Sequence, residues 1–312
     1  MKTYEKIFEA LYEKKEFMTG EMLAQSLQVS RTAIWKAIKT LEEQGVSIET
    51  CKGKGYRWLS GDLLIPDKIT QKTGLPVTFM QSSASTQLDA KQGMDRGNSS
   101  PRLYLAGNQT AARGRMGRQF FAEKDGGIYM SLHIKPNVSF DNLPTYTIMV
   151  ASATVRAIHR LTGKDCDIKW VNDIYLDGKK IVGILTEAVS SIETGTITDV
   201  IIGVGINFHL KNIPDELSLK VGSLFSEENP NITRNELISE IWQIFSTVPE
   251  QDLYKVYRDK SLVLDRHVTF TQNGEDYSGI AQDITPTGGL LVELDKGGLM
   301  EISSGEVSLT SW

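Results

Sequence analysis

Apolar positions in the first sixty residues recur with a helical period and then switch to alternation. Tyr4, Ile7, Phe8 and Leu11 lie three and four apart, which predicts an amphipathic helix. In TGEMLAQSLQVSRTAIWKAIKTLEEQG (19–45), Thr19 is placed to cap a short helix with Met22, Leu23 and Leu27 inward. After Leu27-Gln28-Val29, Ser30 is placed to cap a second helix with Ala33, Ile34, Ala37, Ile38 and Leu41 inward. Two helices across a turn of about three or four residues predict a helix-turn-helix. Gln28 stands where such turns often carry glycine, so the turn geometry is the open point. VSIET and YRWL then alternate around CKGKG, which predicts a β-hairpin, read as a wing, with Lys52 and Lys54 at its tip.

Beyond the SGDLLIPD linker the pattern mixes both periods. VTFM and RLYLAGN read as buried strands, GGIYMSLHIKP as a half-alternating one, and LPTYTIMVASATVRAIHRLTG as a long helix stopped at Gly163. DIKWVNDIYL and KKIVGILTEAV flank Asp177-Gly178, a strong hairpin signal, and TDVIIGVGINF is a further buried strand. TRNELISEIWQIFSTV predicts an amphipathic helix. From His267 on, short strands split by Asn-Gly, Thr-Gly-Gly and Lys-Gly-Gly turns suggest a small β-barrel, too small for an independent core and so expected to pack on the middle of the chain.

At 312 residues the chain is too long for one core. The pattern divides it into residues 1–61 (winged helix-turn-helix), 62–265 (mixed α/β) and 266–312 (β-barrel), an α+β multidomain protein. Hydrophobic residues at 40% and charged residues at 23% suit a soluble globular protein. No apolar run approaches the ~20 residues of a membrane span, and the glutamate-bearing N-terminus has no signal-peptide core. Cys51 and Cys166 lie far apart, without redox or metal-ligand spacing, so a reducing cytoplasm is expected and no membrane partner.

Net charge is −5, yet residues 1–60 hold ten Lys and Arg against eight Asp and Glu, leaving +2 there and −7 on the remainder. The outer face of the second helix offers Arg31, Thr32, Trp35, Lys36 and Lys39, able to reach base edges and phosphates; with Lys52 and Lys54 they form a candidate surface for double-stranded DNA. The plain alternative is a three-helix interaction module with solvated lysines.

A second basic cluster, ARGRMGR (112–118), sets Arg113, Arg115 and Arg118 among Gly114 and Gly117. Guanidinium groups match phosphate geometry, and glycine lets the backbone approach closely; alone, the segment is equally a solvated or nucleic-acid-binding loop. His133, His159, His209 and His267 form no metal-ligand or Ser-His-Asp pattern.

Taken in order, STQ (85–87), NQTAARGRMGR (108–118), KWVNDIYLDGKKIVGILTE (169–187) and GVGIN (203–207) resemble the biotin–protein ligase family, and with the N-terminal helix-turn-helix its bifunctional ligase–repressor branch, over essentially the whole chain. The resemblance implies a class II aminoacyl-tRNA-synthetase-like central domain and an SH3-like C-terminal domain. It implies activation of biotin by Mg2+ and ATP to biotinyl-5′-AMP, then transfer to a lysine of a biotin carboxyl carrier domain of the acetyl-CoA carboxylase type. It further implies that the adenylate acts as corepressor, promoting a homodimer on a two-fold operator, with the Arg loop and residues 208–222 as ordering segments. By the same resemblance Arg113, Gly114 and Arg115 contact biotin and the adenylate, and Arg118 supports the phosphate end. Lys169 is the signature ligand-contacting residue, paired with Arg115 as the catalytic cations; Ser85 (equally an N-cap), Thr86 and Gln87 face the ureido group; Gln109 is a biotin-contact position; and Asn207 faces the adenylate. Asp173 is a candidate Mg2+ ligand, or a turn residue, and Trp170, Tyr129 and Met130 are candidate apolar cover or plain core.

The chain departs from the family pattern at Ala112 (usually Gly), Val171 (usually Pro), Gln87 (more often Asn) and Thr310 (usually Arg), so no contact is assigned to Thr310. If position 112 needs positive φ, alanine there would cost about 1 kcal/mol or more. A biotin sensor without catalysis and a lipoate-type ligase are the competing readings. Arg113, Arg115, Lys169 and Asn207 argue against the first; the Arg-Gly-Arg loop and KWVND argue against the second.

Overall fold

The computed structural model describes residues 1–226, 229–303 and 305–310. Its first unit packs α1 (Thr3–Lys14), α2 (Gly20–Leu27) and α3 (Arg31–Glu43) around Ile7, Phe8, Leu11, Leu23, Ile34, Ile38 and Leu41, and closes with the antiparallel hairpin of β1 (Ser47–Cys51) and β2 (Gly55–Ser60). Both expected caps form: Thr19 Oγ1 accepts from Met22 N at 3.1 Å and Ser30 Oγ from Ala33 N at 3.2 Å. Met22 is a correction, since it is 46% exposed and Leu23 alone is fully buried on α2. That helix is only eight residues long, so its buried stripe is narrow.

The turn is also resolved. Gln28 ends α2 in the left-handed conformation (φ 55°, ψ 43°), the geometry glycine usually supplies. Gln28→Gly is therefore expected to stabilise the chain by about 0.5–1 kcal/mol, read from a urea midpoint, since glycine removes the Cβ strain but adds unfolded-state entropy.

The linker is bolted to the middle of the chain. Asp62 Oδ2 accepts from Arg234 N at 2.7 Å and Arg234 Nε at 2.9 Å. Asn235 Nδ2 donates to Leu63 O, and its Oδ1 accepts from Ile65 N.

After α4 (Pro66–Thr73) come β3 (Val77–Met80), α5 (Thr86–Asp95), β4 (Arg102–Ala106), β5 (Gly127–Ile134), the short β6 (Val138–Ser139) and α6 (Tyr146–Thr162). Four strands follow: β7 (Asp167–Lys169), β8 (Asp173–Leu176), β9 (Lys179–Ser190) and β10 (Thr196–Asn207). The sheet runs β3-β4-β5-β10-β9-β8-β7, with β6 beside β10 and only β3 and β4 parallel. Asp177 (φ 51°) and Gly178 (φ 74°) make the expected tight turn between β8 and β9. β5 is buried along nearly its whole length instead of alternating, because α5 packs on its Ser131 side and Trp242 of the later helix Arg234–Thr247 packs on Met130 on the other.

α7 (Arg234–Thr247) is followed by α8 (Glu250–Asp259), which the apolar pattern did not yield: its buried positions are just Leu253 and Tyr257. The last strands, β11 (His267–Gln272), β12 (Glu275–Ile284), β13 (Leu290–Leu294), β14 (Leu299–Ile302) and β15 (Ser308–Leu309), form an antiparallel sheet ordered β14-β13-β12-β11-β15. Among the described residues its ends do not pair, so the sheet is open where a barrel was expected. Val268, Ala281, Leu290 and Val292 join the same core as the large sheet, and Trp170 Nε1 donates to Gly288 O at 3.0 Å. Trp170 is thus core rather than ligand cover.

Candidate functional site

A cavity of about 170 Å³ opens over the middle of the large sheet, bounded by the start of α5, the 112–120 loop, and β5, β9 and β10. Gly203 and Gly205 on β10 and Gly183 on β9 keep its floor low. A Cβ at Gly203 would sit 2.5 Å from Gln87 Oε1, and one at Gly205 2.7 Å from the Phe120 ring, so side chains there would fill the space. Ser85, Thr86, Gln87, Gln109, Arg113, Gly114, Arg115 and Arg118 all line this cavity, although they come from two distant stretches of chain.

The polar end is a buried network. Gln109 Oε1 accepts from Thr86 N at 2.7 Å, Thr86 Oγ1 and Ser131 Oγ lie 2.9 Å apart, and Ser131 Oγ donates to Gln87 Oε1 at 2.9 Å. Thr86, Gln87 and Ser131 are 8% exposed or less. Gln87 lines the cavity, but protein groups occupy both ends of its amide. Ser85 stands at the N-cap of α5 without a side-chain capping bond, and its backbone N–H donates to Ser83 Oγ.

At the mouth, the arginine loop folds back on itself: Gly114 N donates to Arg118 O and Phe120 N to Ala112 O. Its left-handed residue is Met116 (φ 54°), followed by Gly117 (φ 72°), while Ala112 has no positive φ and its methyl is buried. The alanine therefore carries no left-handed strain. Arg115 Nη1 donates to Asn172 Oδ1 at 3.4 Å and Gly305 O at 3.2 Å, which ties the loop to β8 and to the C-terminal sheet. Arg118 pairs with Glu306 at 2.7 Å, and Arg113 is exposed with one long bond to Gly117 O.

Asp173 lines the cavity with its Oδ1 2.7 Å from Lys180 Nζ. Lys169 ends β7 opposite Asp173 in register but is not among the lining residues. Burial holds its amine below the ordinary lysine range; Asp173 and Glu306 pull the other way, and Lys180 adds to the lowering. Asn207 also stays off the cavity: its Nδ2 donates to Gly222 O at 2.9 Å, and its buried Oδ1 has no hydrogen-bond partner among the described residues. Met130 lines the cavity, whereas Tyr129 is core, its hydroxyl donating to Glu123 O and pushed upward in pKa by burial.

Sequence reasoning missed Phe120, Ser131, Asn172, Lys180 and Glu306, all of which line the cavity. A lone serine inside the apolar run of β5 was the available signal for Ser131; nothing local marks Glu306, which the fold brings in from the C-terminal sheet.

On the N-terminal unit, Arg31, Thr32, Trp35, Lys36 and Lys39 are exposed on one face of α3, and Lys52 and Lys54 are exposed at the hairpin tip. Trp35 is 57% exposed with Lys39 Nζ over its ring, and Arg31 makes an ion pair with Glu21 that, being exposed, adds little.

Comparison with known proteins matches residues 80–207 to the biotin/lipoate A/B protein ligase family, 4–57 to an HTH domain and 263–310 to the biotin protein ligase C terminal domain. The chain is 32% identical to the bifunctional ligase/repressor BirA of Bacillus subtilis, over 94% of each. It is 28% identical to that of Escherichia coli, over 97% of this chain and 96% of the other. The biotin protein ligase of Aquifex aeolicus in complex with biotin and ATP superposes with a TM-score of 0.63 at 25% identity, covering 75% of this chain and 97% of that one.

Proposed function

The chain belongs to the bifunctional ligase/repressor branch of the biotin protein ligase family, and on that premise we propose that it activates biotin with ATP and transfers it to a carrier-protein lysine, and that it represses transcription in response to the activated intermediate. The observation that carries this is one cavity with a polar end formed by buried Thr86 and Ser131 and half-buried Gln109, and an arginine-lined mouth. A ring urea fits the first, and a carboxylate meeting a triphosphate fits the second.

In the first step the biotin carboxylate oxygen attacks the α-phosphorus, the bond to the β-phosphate oxygen breaks, and pyrophosphate leaves. Two anions must be held together and charge builds on the phosphorus, which fixed cations offset without reorganising. Arg115, braced by Asn172 and Gly305, is the anchored cation; Arg113 and Gly114 cover the ligand. Arg118 exchanges its exposed Glu306 partner for phosphate. Lys180 holds the carboxylate and anhydride side from the cavity wall; Lys169 and Asn207, which stand just outside the cavity, act behind it, on the carboxylate side and at the adenylate end. In the second step the carrier lysine, as its free amine, attacks the acyl carbon, the bond to the phosphate oxygen breaks and AMP departs, and the proton lost from nitrogen passes to solvent or to the leaving phosphate.

Among the described residues no three His, Cys, Asp or Glu side chains gather as a metal site, and Asp173 is paired with Lys180. Magnesium would arrive on the triphosphate, a common mode for this ion, with Asp173 and Glu306 the carboxylates that line the cavity among the described residues.

The N-terminal unit acts as a winged helix-turn-helix over 1–61, with α3 in the major groove and the hairpin as wing. The catalytic unit spans 62–265, and 266–312 is an SH3-like module lending Glu306 to the site. The adenylate-bound chain acts as a homodimer on a two-fold operator, in the cytoplasm; no helix among the described residues is long and apolar enough to cross a membrane.

The test is pyrophosphate release from ATP with biotin or lipoate, then mass spectrometry of an added carrier domain. Biotin-dependent release and a biotinylated lysine are expected. Tight biotin binding without release would leave a pure sensor, and release with lipoate alone would move the chain to the lipoate ligases.

A further inference from the structure

The hydrogen bonds at the polar end of the cavity run in one direction, and a carboxylate outside the cavity helps to set it. Gln87 and Lys91 sit one turn apart on α5, and Glu187 on β9 faces both. Gln87 Nε2 donates to Glu187 Oε2 at 2.9 Å, Ile201 O at 3.2 Å and Leu185 O at 3.4 Å, while Lys91 Nζ donates to Glu187 Oε1 at 2.9 Å. The amide nitrogen has two protons to share among these three acceptors, whereas an amide oxygen in its place would meet lone pairs from all three. Gln87 Oε1 is therefore turned to Ser131 and takes its hydroxyl proton.

Serine has one proton to give. With that proton on Gln87, Ser131 Oγ can only accept in its 2.9 Å contact with Thr86 Oγ1; the threonine proton goes there or to Gln109 Oε1 at 3.3 Å, and in neither case is it left for a ligand. Both residues line the cavity. On the other side, Gln109 gives its Oε1 to Thr86 N, which leaves its amide nitrogen as the donor.

We propose that Glu187 is a positioning residue which, through Gln87, fixes the donor–acceptor polarity of the cavity, so that Ser131 and Thr86 present lone pairs and select a ligand bearing ring N–H donors. This rests on the biotin reading and deepens it: a cyclic urea brings two N–H donors and one acceptor oxygen, matched by two hydroxyl acceptors and the Gln109 nitrogen. The longer Gln87, where the family more often has asparagine, is what reaches Glu187 and makes the relay.

The full-length protein is assayed for pyrophosphate release, with KM for biotin and for ATP measured separately. The exchanged pair K91E/E187K keeps an ion pair between α5 and β9 but points an ammonium donor at Gln87 Nε2. Biotin KM is expected to rise about tenfold or more, as for a buried hydrogen-bonding group left mismatched, with ATP KM unchanged. Glu187→Gln retains an acceptor oxygen for Gln87, and its biotin KM is expected to stay within about threefold of the parent. An unchanged biotin KM in the exchanged pair, a parallel rise in both KM values, or equal damage in Glu187→Gln overturns the polarity relay. Should the exchanged pair fail to fold, Glu187→Met removes the acceptor without adding charge; a rise in biotin KM alone supports the relay, and no rise overturns it. The parent protein separates the two levels: without biotin-dependent release there, the biotin reading itself falls.

Discussion

Replacing Arg115 by alanine slows biotinyl-5′-AMP formation by about 100- to 1,000-fold, the usual effect of deleting one preorganised group facing developing charge. Unlike Arg113 and Arg118, Arg115 is half-buried and held from two directions, by Asn172 on the β8 side and by Gly305 from the C-terminal sheet. These contacts bias its position before substrate arrives, so in the proposed site it would stabilise the transition state at a smaller cost in side-chain ordering. The same deletion is expected to speed release of preformed adenylate, because in the proposed site the guanidinium also faces the product phosphate. Folding is barely touched, since its two bonds are long and partly solvated. The checks are single-turnover adenylate formation, adenylate dissociation and a thermal melt on one preparation. Parent-like adenylate retention would remove Arg115 from the site.

Asp62→Ala is expected to cost about 3–5 kcal/mol, because it strips the partner from a buried cation. Arg234 is 4% exposed, and Asp62 supplies its closest contacts, through Oδ2 to both N and Nε. The remaining acceptors, Gly127 O at 3.4 Å and Asp62 O at 3.3 Å, are long. The pair also seats the linker between the helix-turn-helix and the large sheet, so the loss should appear in the urea midpoint of the whole chain and in sharper protease cleavage near residues 60–65. A shift below about 1 kcal/mol would mean that water reaches the guanidinium and that the pair is not what fixes the linker. Asp62→Asn, which keeps an acceptor, should fall between the two.

Much of this protein is local in origin and was legible in the chain. Helical spacing and the Thr19 and Ser30 caps placed α2 and α3, Asp177-Gly178 placed the β8–β9 turn, and Gly163 ended α6, because each signal acts within a few residues. Ordered motifs at 85–87, 108–118, 169–187 and 203–207 were enough to point to the family. Short elements with few buried positions were less visible: α8 rests on Leu253 and Tyr257, and Met22 on α2 faces outward.

What needed the tertiary structure was partnership across long separations. Gln87 meets Ser131 and Glu187, Arg115 meets Gly305, and Arg118 meets Glu306; each pair is made only when β5, β9 and the C-terminal sheet converge on the start of α5 and the arginine loop. The sequence determined which residue types could hold a urea, a carboxylate and phosphates. Folding decided which atoms of those residues remain free to do so, because a buried amide or hydroxyl has few protons to give and the packed neighbours choose where they go.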